Sequence, residues 1–169
     1  MRPETDNRSA ARQVTDALTR VAYRGAYSLA MAYWFVRRPA TQGVFVAVWC
    51  GQRVLLLQNS YKRLFSMPGG GAHPGESHVQ TGTRELREEV GLSVEAASLR
   101  PAFDVEDRGE FKRDHVYFLE LEVKHEPPLS IDHREVVWAD FIDLEAALRL
   151  PLAPTLRAYL THRLEQTHG

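Results

Sequence analysis

The chain has 169 residues, 44% hydrophobic and 25% charged, with a formal net charge of −1. That profile suits a globular chain with one cored domain and room for an added arm, and it offers no overall basic charge for nucleic acid or an anionic membrane. The single cysteine, Cys50, excludes an intrachain disulfide and reads as a small core residue, in keeping with a reducing, cytoplasmic location. Charge is nevertheless uneven: through residue 38, Arg2, Arg8, Arg12, Arg20, Arg24, Arg37 and Arg38 are opposed only by Glu4, Asp6 and Asp16.

In chain order, residues 1–9 form a polar lead, and residues 10–38 predict a long helix. Val14, Leu18, Val21, Gly25, Leu29, Ala32 and Val36 recur at three- and four-residue steps as one face. Tyr23, Tyr27, Ala30 and Trp34 make a second stripe. Two stripes exceed what one packing surface needs. Either the helix wedges against its own domain, or the second stripe meets a twin subunit, as a homodimer, or a membrane surface. The apolar stretch 26–36 is too short to cross a bilayer and runs into Arg37-Arg38-Pro39, not a small-residue cleavage site.

Pro39 closes the helix. Residues 44–49 and 53–58 are β-rich runs around Cys50-Gly51-Gln52, predicting strand, tight turn and strand. Gly69, Gly70, Gly71, Pro74 and Gly75 mark a loop without regular structure. A helix follows over 77–90, with Ser77 and Gln80 as a capping box and Gly91 as its left-handed terminator. Its inward face is Val79, Thr83, Leu86 and Val90. Further strands are predicted at 99–105, 115–123 and 136–141, and helices at 144–150 and about 154–164. Strands and helices mixed without regular alternation predict an α/β (α+β) fold, a mixed β-sheet sandwiched between α-helices.

Glu85, Glu88 and Glu89 stand at i, i+3 and i+4 of the 77–90 helix, so their carboxylates crowd one flank. Like charges four residues apart cost an isolated helix roughly 0.2–0.5 kcal/mol per pair. Alone, such a run reads as a solvated face relieved by Arg84 and Arg87. The loop in front changes that reading. Pro68-Gly69-Gly70-Gly71 bares backbone carbonyls and amides, and carboxylate with carbonyl oxygens suits Mg²⁺ or Mn²⁺. A cation between the carboxylates would relieve their repulsion.

Gly70, five residues, Glu76, seven residues, then Arg84-Glu85-Leu86-Arg87-Glu88-Glu89-Val90-Gly91-Leu92 resembles the Nudix box at every fixed position, and Pro68-Gly69 and Pro74-Gly75 are typical of it as well. The resemblance implies a Nudix (MutT-like) hydrolase domain over 39–169, with 1–38 as an added helical extension. It implies that Glu85, Glu88 and Glu89 hold one or more Mg²⁺ or Mn²⁺ ions, with the Gly70 carbonyl as a further ligand. Arg84 is then expected to orient a neighbouring glutamate, and Glu76 to tie the loop to Arg84 or to reach a second metal through water. Leu86 and Leu92 are core residues. Attack of water on a pyrophosphate builds negative charge that metal ions stabilise, and a carboxylate takes the proton. That base is Glu85, Glu89 or a residue of a later loop. For the later loop Asp132 leads, ahead of Glu126 and Glu135, although family members carry a glutamate at about this distance before a tryptophan-bearing strand, here the strand of Trp138.

Two further departures stand out. Thr81-Gly82 replaces the usual small apolar residues in mid-helix, where glycine costs roughly 1 kcal/mol relative to alanine. Gly82 thus permits close packing or marks a less stable helix. His73 takes a loop position often held by an acid. The box leaves the substrate open: residues 104–111 lack the proline or tyrosine linked to ADP-ribose and dinucleoside polyphosphate enzymes, and no coenzyme A signature is present. Trp49, Tyr61, Arg63, Phe65 and His115 are candidate nucleoside contacts, or equally structural aromatics and surface charges. The leading expectation is a nucleoside diphosphate linked to another moiety, such as a nucleotide sugar or dinucleotide. A nucleoside triphosphate or an RNA 5′ end, gripped by the basic arm, comes second. A non-catalytic sensing module comes last, because every box glutamate is retained.

Overall fold

The computed structural model describes residues 10–107, 109–111 and 113–168. The polar lead over 1–9 and Arg108 of the stretch after the box lie outside the described residues. Strand β1 (Ala40–Cys50) is apolar on both sides, with Val44, Val46 and Val48 entering one core and Ala47 and Trp49 the other. A strand of that pattern belongs in the middle of a sheet covered on both faces. Strand β2 (Arg53–Asn59) follows through a turn at Gly51, φ 61°, and divides in the same way, Leu55 and Leu57 against Val54 and Leu56.

The remaining strands are β3 (Gly69–Gly71), β4 (Arg100–Asp107), β5 (Arg113–Glu122) and β6 (Val136–Asp143). The sheet runs β4-β5-β1-β2-β6, with β1 and β5 parallel and the other pairs antiparallel; β3 also pairs with β1. The triple glycine, expected as irregular loop, is therefore a short strand. Its register is Gly43 with Gly71, Val44 with Gly70 and Phe45 with Gly69. Glycines carry no side-chain alternation to announce a strand. The pairing arises because β2 stays on β1 only at Trp49 and Cys50 and leaves the edge at Gly43–Phe45 open.

Helix α2 (His78–Val90) covers one face through Leu86 and Val90. Short α3 (Leu144–Ala147) and α4 (Pro154–His168) cover the other, burying Leu144, Ala147, Leu156, Tyr159 and Leu160. α3 stops before the expected residue 150. Its last turn tightens into Arg149 N–H to Ala146 O and Leu150 N–H to Ala147 O, ahead of Pro151. In α2 the Ser77–Gln80 capping box is complete, and Gly91 closes the helix at φ 73° with its N–H on Leu86 O. Gly82 is there for space: a Cβ would stand 2.9 Å from Val46 Cγ2 and 3.0 Å from Leu119 Cδ1. That contact settles its role as close packing of α2 onto the sheet.

Helix α1 (Ala10–Arg37) turns its aromatic stripe to its own domain. The Tyr23 and Tyr27 rings lie 6.1 and 5.3 Å from that of Tyr61, and the Tyr27 hydroxyl donates to Glu110 at 2.5 Å. Asp16, 5% exposed, accepts from Arg134 Nε at 3.0 Å, and Arg20 Nε donates to the His133 carbonyl at 2.9 Å. Tyr23 and Tyr27 of the second stripe are thus packed on the domain itself. The first stripe faces outward. Among the described residues no helix is long and apolar enough to cross a membrane.

Candidate active site

The three glutamates of α2 differ in burial. Glu89 is turned inward, 7% exposed; its carboxylate accepts the Gly69 N–H at 2.7 Å and a hydrogen bond from the Asn59 side chain. Burial, above all, pushes its pKa up to about 8, with the charges of Glu85 and Glu135 acting in the same direction. Burial also raises Glu85, against the pull of Arg84. Glu88 is more open and lies 3.3 Å from Arg84 Nη1. β3 closes the group from the loop side. A Cβ on Gly70 would fall 2.5 Å from Glu85 Oε1, so the backbone there approaches the carboxylate as only glycine allows.

Arg84 fastens helix to loop. Its Nε and Nη2 donate to the two oxygens of Glu76 at 3.0 and 3.2 Å, Nη1 donates to Glu85 at 2.7 Å, and Nη2 also reaches the Gly71 carbonyl at 3.1 Å. Glu76 further accepts from the His73 N–H and the Thr81 hydroxyl. The bond from Arg84 is the chief reason its pKa is held near 2. Of the two expectations for Glu76, the geometry displays the tie between loop and Arg84. The exposed His73 ring stands at the edge of this network, its Nδ1 3.6 Å from Glu76 Oε1.

The later acidic candidates separate clearly. Asp132 turns its short side chain back on its own loop, accepting the N–H groups of Arg134, Glu135 and Val136 at 2.9, 3.1 and 3.2 Å. Glu126 pairs with Arg53 at the start of β2. Glu135 is the one brought to the glutamates. Its charge acts on both Glu85 and Glu89, and its Oε1 accepts the Tyr61 hydroxyl at 2.9 Å. Asn59 was not singled out from the sequence; the only signal was the polar Gln58-Asn59 pair ending an apolar strand.

The donors are all oxygen, carboxylates beside a bare glycine backbone, which is the chemistry of a hard divalent cation. Among the described residues no three acidic or imidazole side chains already converge on one point; Arg84 holds Glu85 and Glu88 instead. Glu85, Glu88, Glu89 and Glu135 outnumber the single Arg84 among them, and that surplus of carboxylate favours added positive charge.

A cavity of about 360 Å³ adjoins it, lined among others by Tyr27, Phe45, Tyr61, Lys62, Arg63 and Glu110. Phe45 abuts Gly69, whose N–H holds Glu89, while Tyr61 holds Glu135, so cavity and glutamates share a wall. Of the aromatic and basic residues singled out in the sequence, Tyr61 and Arg63 line this cavity. Trp49 is buried, donating to Tyr159; Phe65 packs edge-on against Trp138; His115 pairs with Asp104 and stacks on Tyr117. In the basic arm, Arg20 and Arg24 bond to the domain's own carbonyls at His133 and Ser60.

The model of the NUDIX domain matches residues 39–164. A "Putative 8-oxo-dGTP diphosphatase" of Bacillus subtilis (strain 168) is 36% identical over 80 residues, 46% of this chain and 52% of that protein, so the match spans about half the length of this curated relative. The crystal structure of a MutT protein from Methanosarcina mazei Go1 superposes with a TM-score of 0.67 at 20% identity, covering 79% of this chain and 99% of that one. A bifunctional NMN adenylyltransferase/ADP ribose pyrophosphatase from Francisella tularensis, complexed with AMP and a Mn ion, gives 0.64 at 18% identity, covering 92% of this chain and 49% of that one. At these identities the two structures establish a shared fold.

Proposed function

The chain belongs to the NUDIX domain family, and from that premise we propose that it is a Mg²⁺- or Mn²⁺-dependent pyrophosphohydrolase of a nucleoside diphosphate linked to a second moiety. One observation carries the reading: Glu85, Glu88 and Glu89 crowd one flank of α2, backed by Gly70 and Glu135, beside an aromatic cavity of small-molecule size.

Glu85, Glu88, Glu89 and the Gly70 carbonyl would hold the cation, which when bound supplies charge neutralisation and a more acidic water. Glu135 takes the proton of the attacking water, a role for which Asp132 led among the later-loop candidates and Glu85 and Glu89 were the alternatives. Tyr61 orients Glu135 through its hydroxyl, and Asp132 fixes the backbone that carries it. Glu76 immobilises Arg84, which in turn orients Glu85. Tyr27, Phe45 and Tyr61 offer ring faces to a base, and Arg63 a charge to phosphate.

A second reading, hydrolysis of a nucleoside triphosphate, is favoured by the likeness to the Bacillus diphosphatase. Product analysis separates the two. Nucleotide sugars, dinucleotides and nucleoside triphosphates are incubated with Mg²⁺, with Mn²⁺ and with chelator. Metal-dependent release of two monophosphate products from a linked diphosphate supports the first reading, and release of pyrophosphate from a triphosphate the second. A folded protein silent on all three classes overturns both.

A further inference from the structure

Seven of the nine large hydrophobic side chains exposed among the described residues lie on α1. Val14, Leu18, Val21, Leu29 and Val36 follow one another at helical spacing, with Gly25 and Ala32 between them and no charged residue in the row. Leu29 is 74% exposed and Val36 77%. At 1.5 Å per residue, the strip from Val14 to Val36 runs over about 33 Å. Phe111, edge-on to Phe35 at 5.1 Å, extends the apolar surface past the helix itself. A monomer seldom leaves so continuous a strip to water.

The charges beside the strip identify its occupant. Residues 10–38 hold five arginines against one aspartate, and Asp16 is buried against Arg134. Arg20 and Arg24 reach back to the domain's carbonyls at His133 and Ser60 and so lie away from the strip. Arg37 and Arg38 close the end of the strip, both exposed. These two add positive charge with no acidic side chain in the row to oppose it, and a layer of anionic headgroups neutralises them. An apolar face that ends in exposed arginines, on a helix that does not span, is the build of an interfacial helix. We propose that α1 docks the protein, outward face down, on an anionic lipid surface.

The test is co-sedimentation of the full chain with vesicles of phosphatidylcholine alone and of phosphatidylcholine with phosphatidylglycerol, at low and high salt. Binding is expected on the anionic vesicles, at least about tenfold weaker on the neutral ones, and reduced by salt. The triple variant Leu18→Glu/Leu29→Glu/Val36→Glu should melt like the parent, since these side chains are exposed, and lose the binding. A folded parent that ignores anionic vesicles overturns the proposal, as does equal binding to both lipid mixtures. A light-scattering mass of two chains that the triple variant returns to one, without vesicle binding, assigns the face to a second copy and overturns it too.

Discussion

At Glu89 a carboxyl is buried beside two others, and its pKa is pushed up to about 8 from an ordinary 4.5. A folded pKa above the unfolded one gives stability that is full below pH 4.5 and lost as pH rises through about 8. The melting temperature of the chelated protein should therefore fall between about pH 5 and pH 9, to the extent that Glu89 governs it. Mg²⁺, which must displace that proton, should raise the melting temperature more at about pH 8.5 than at about pH 5.5. Calorimetry in both buffers checks this, and equal increments would remove Glu89 from the metal site. A second contrast concerns the base. Glu135→Gln should lower kcat by about 10²–10⁴-fold. Asp132→Asn, which still offers an oxygen to the same loop amides, should keep most of it. Steady-state kinetics at saturating Mg²⁺ decides, and the reverse ranking would return the base to Asp132.

Among the elements, α2 is the one most dependent on a single position. Gly82→Ala gains roughly 1 kcal/mol of helix propensity but drives a methyl group into Val46 and Leu119, and overpacking of that kind costs about 1–3 kcal/mol. The expected result is a melting temperature a few degrees lower, read by circular dichroism; an increase would mean the helix lifts off the sheet freely. α2 was also the most legible element, because Ser77, Gln80 and Gly91 signal its ends through local chemistry alone. β3 was not, since its strand state comes from a vacancy on β1 that three glycines cannot announce. On α1, periodicity revealed two stripes but no direction. What decides is Tyr61, Glu110 and Arg134, all distant in the chain. The glutamates of the site could be read from spacing, whereas Asn59 and Glu135 join them only through the crossing of β2 and β6.

For the molecule as a whole, α1 is joined to the loops that carry Glu135 and Tyr61 but contributes nothing to either buried core. A chain starting at residue 39 should therefore keep its sheet by circular dichroism. It should lose about tenfold or more in kcat/KM, because the 132–135 loop is no longer held and Tyr27 leaves the cavity wall. Unchanged kinetics would make the helix irrelevant to catalysis. The central pairing of β1 with β5 has a consequence for biosynthesis. As the chain emerges, β1, β2 and α2 are made before β5, and one whole edge of a doubly apolar strand waits for residues 113–122. Parallel contacts across so long a separation form late, and the waiting segment is open to association with other nascent chains. Refolding from denaturant should accordingly be slow and sensitive to protein concentration, with chaperones most useful while the ribosome is still translating the β5 codons.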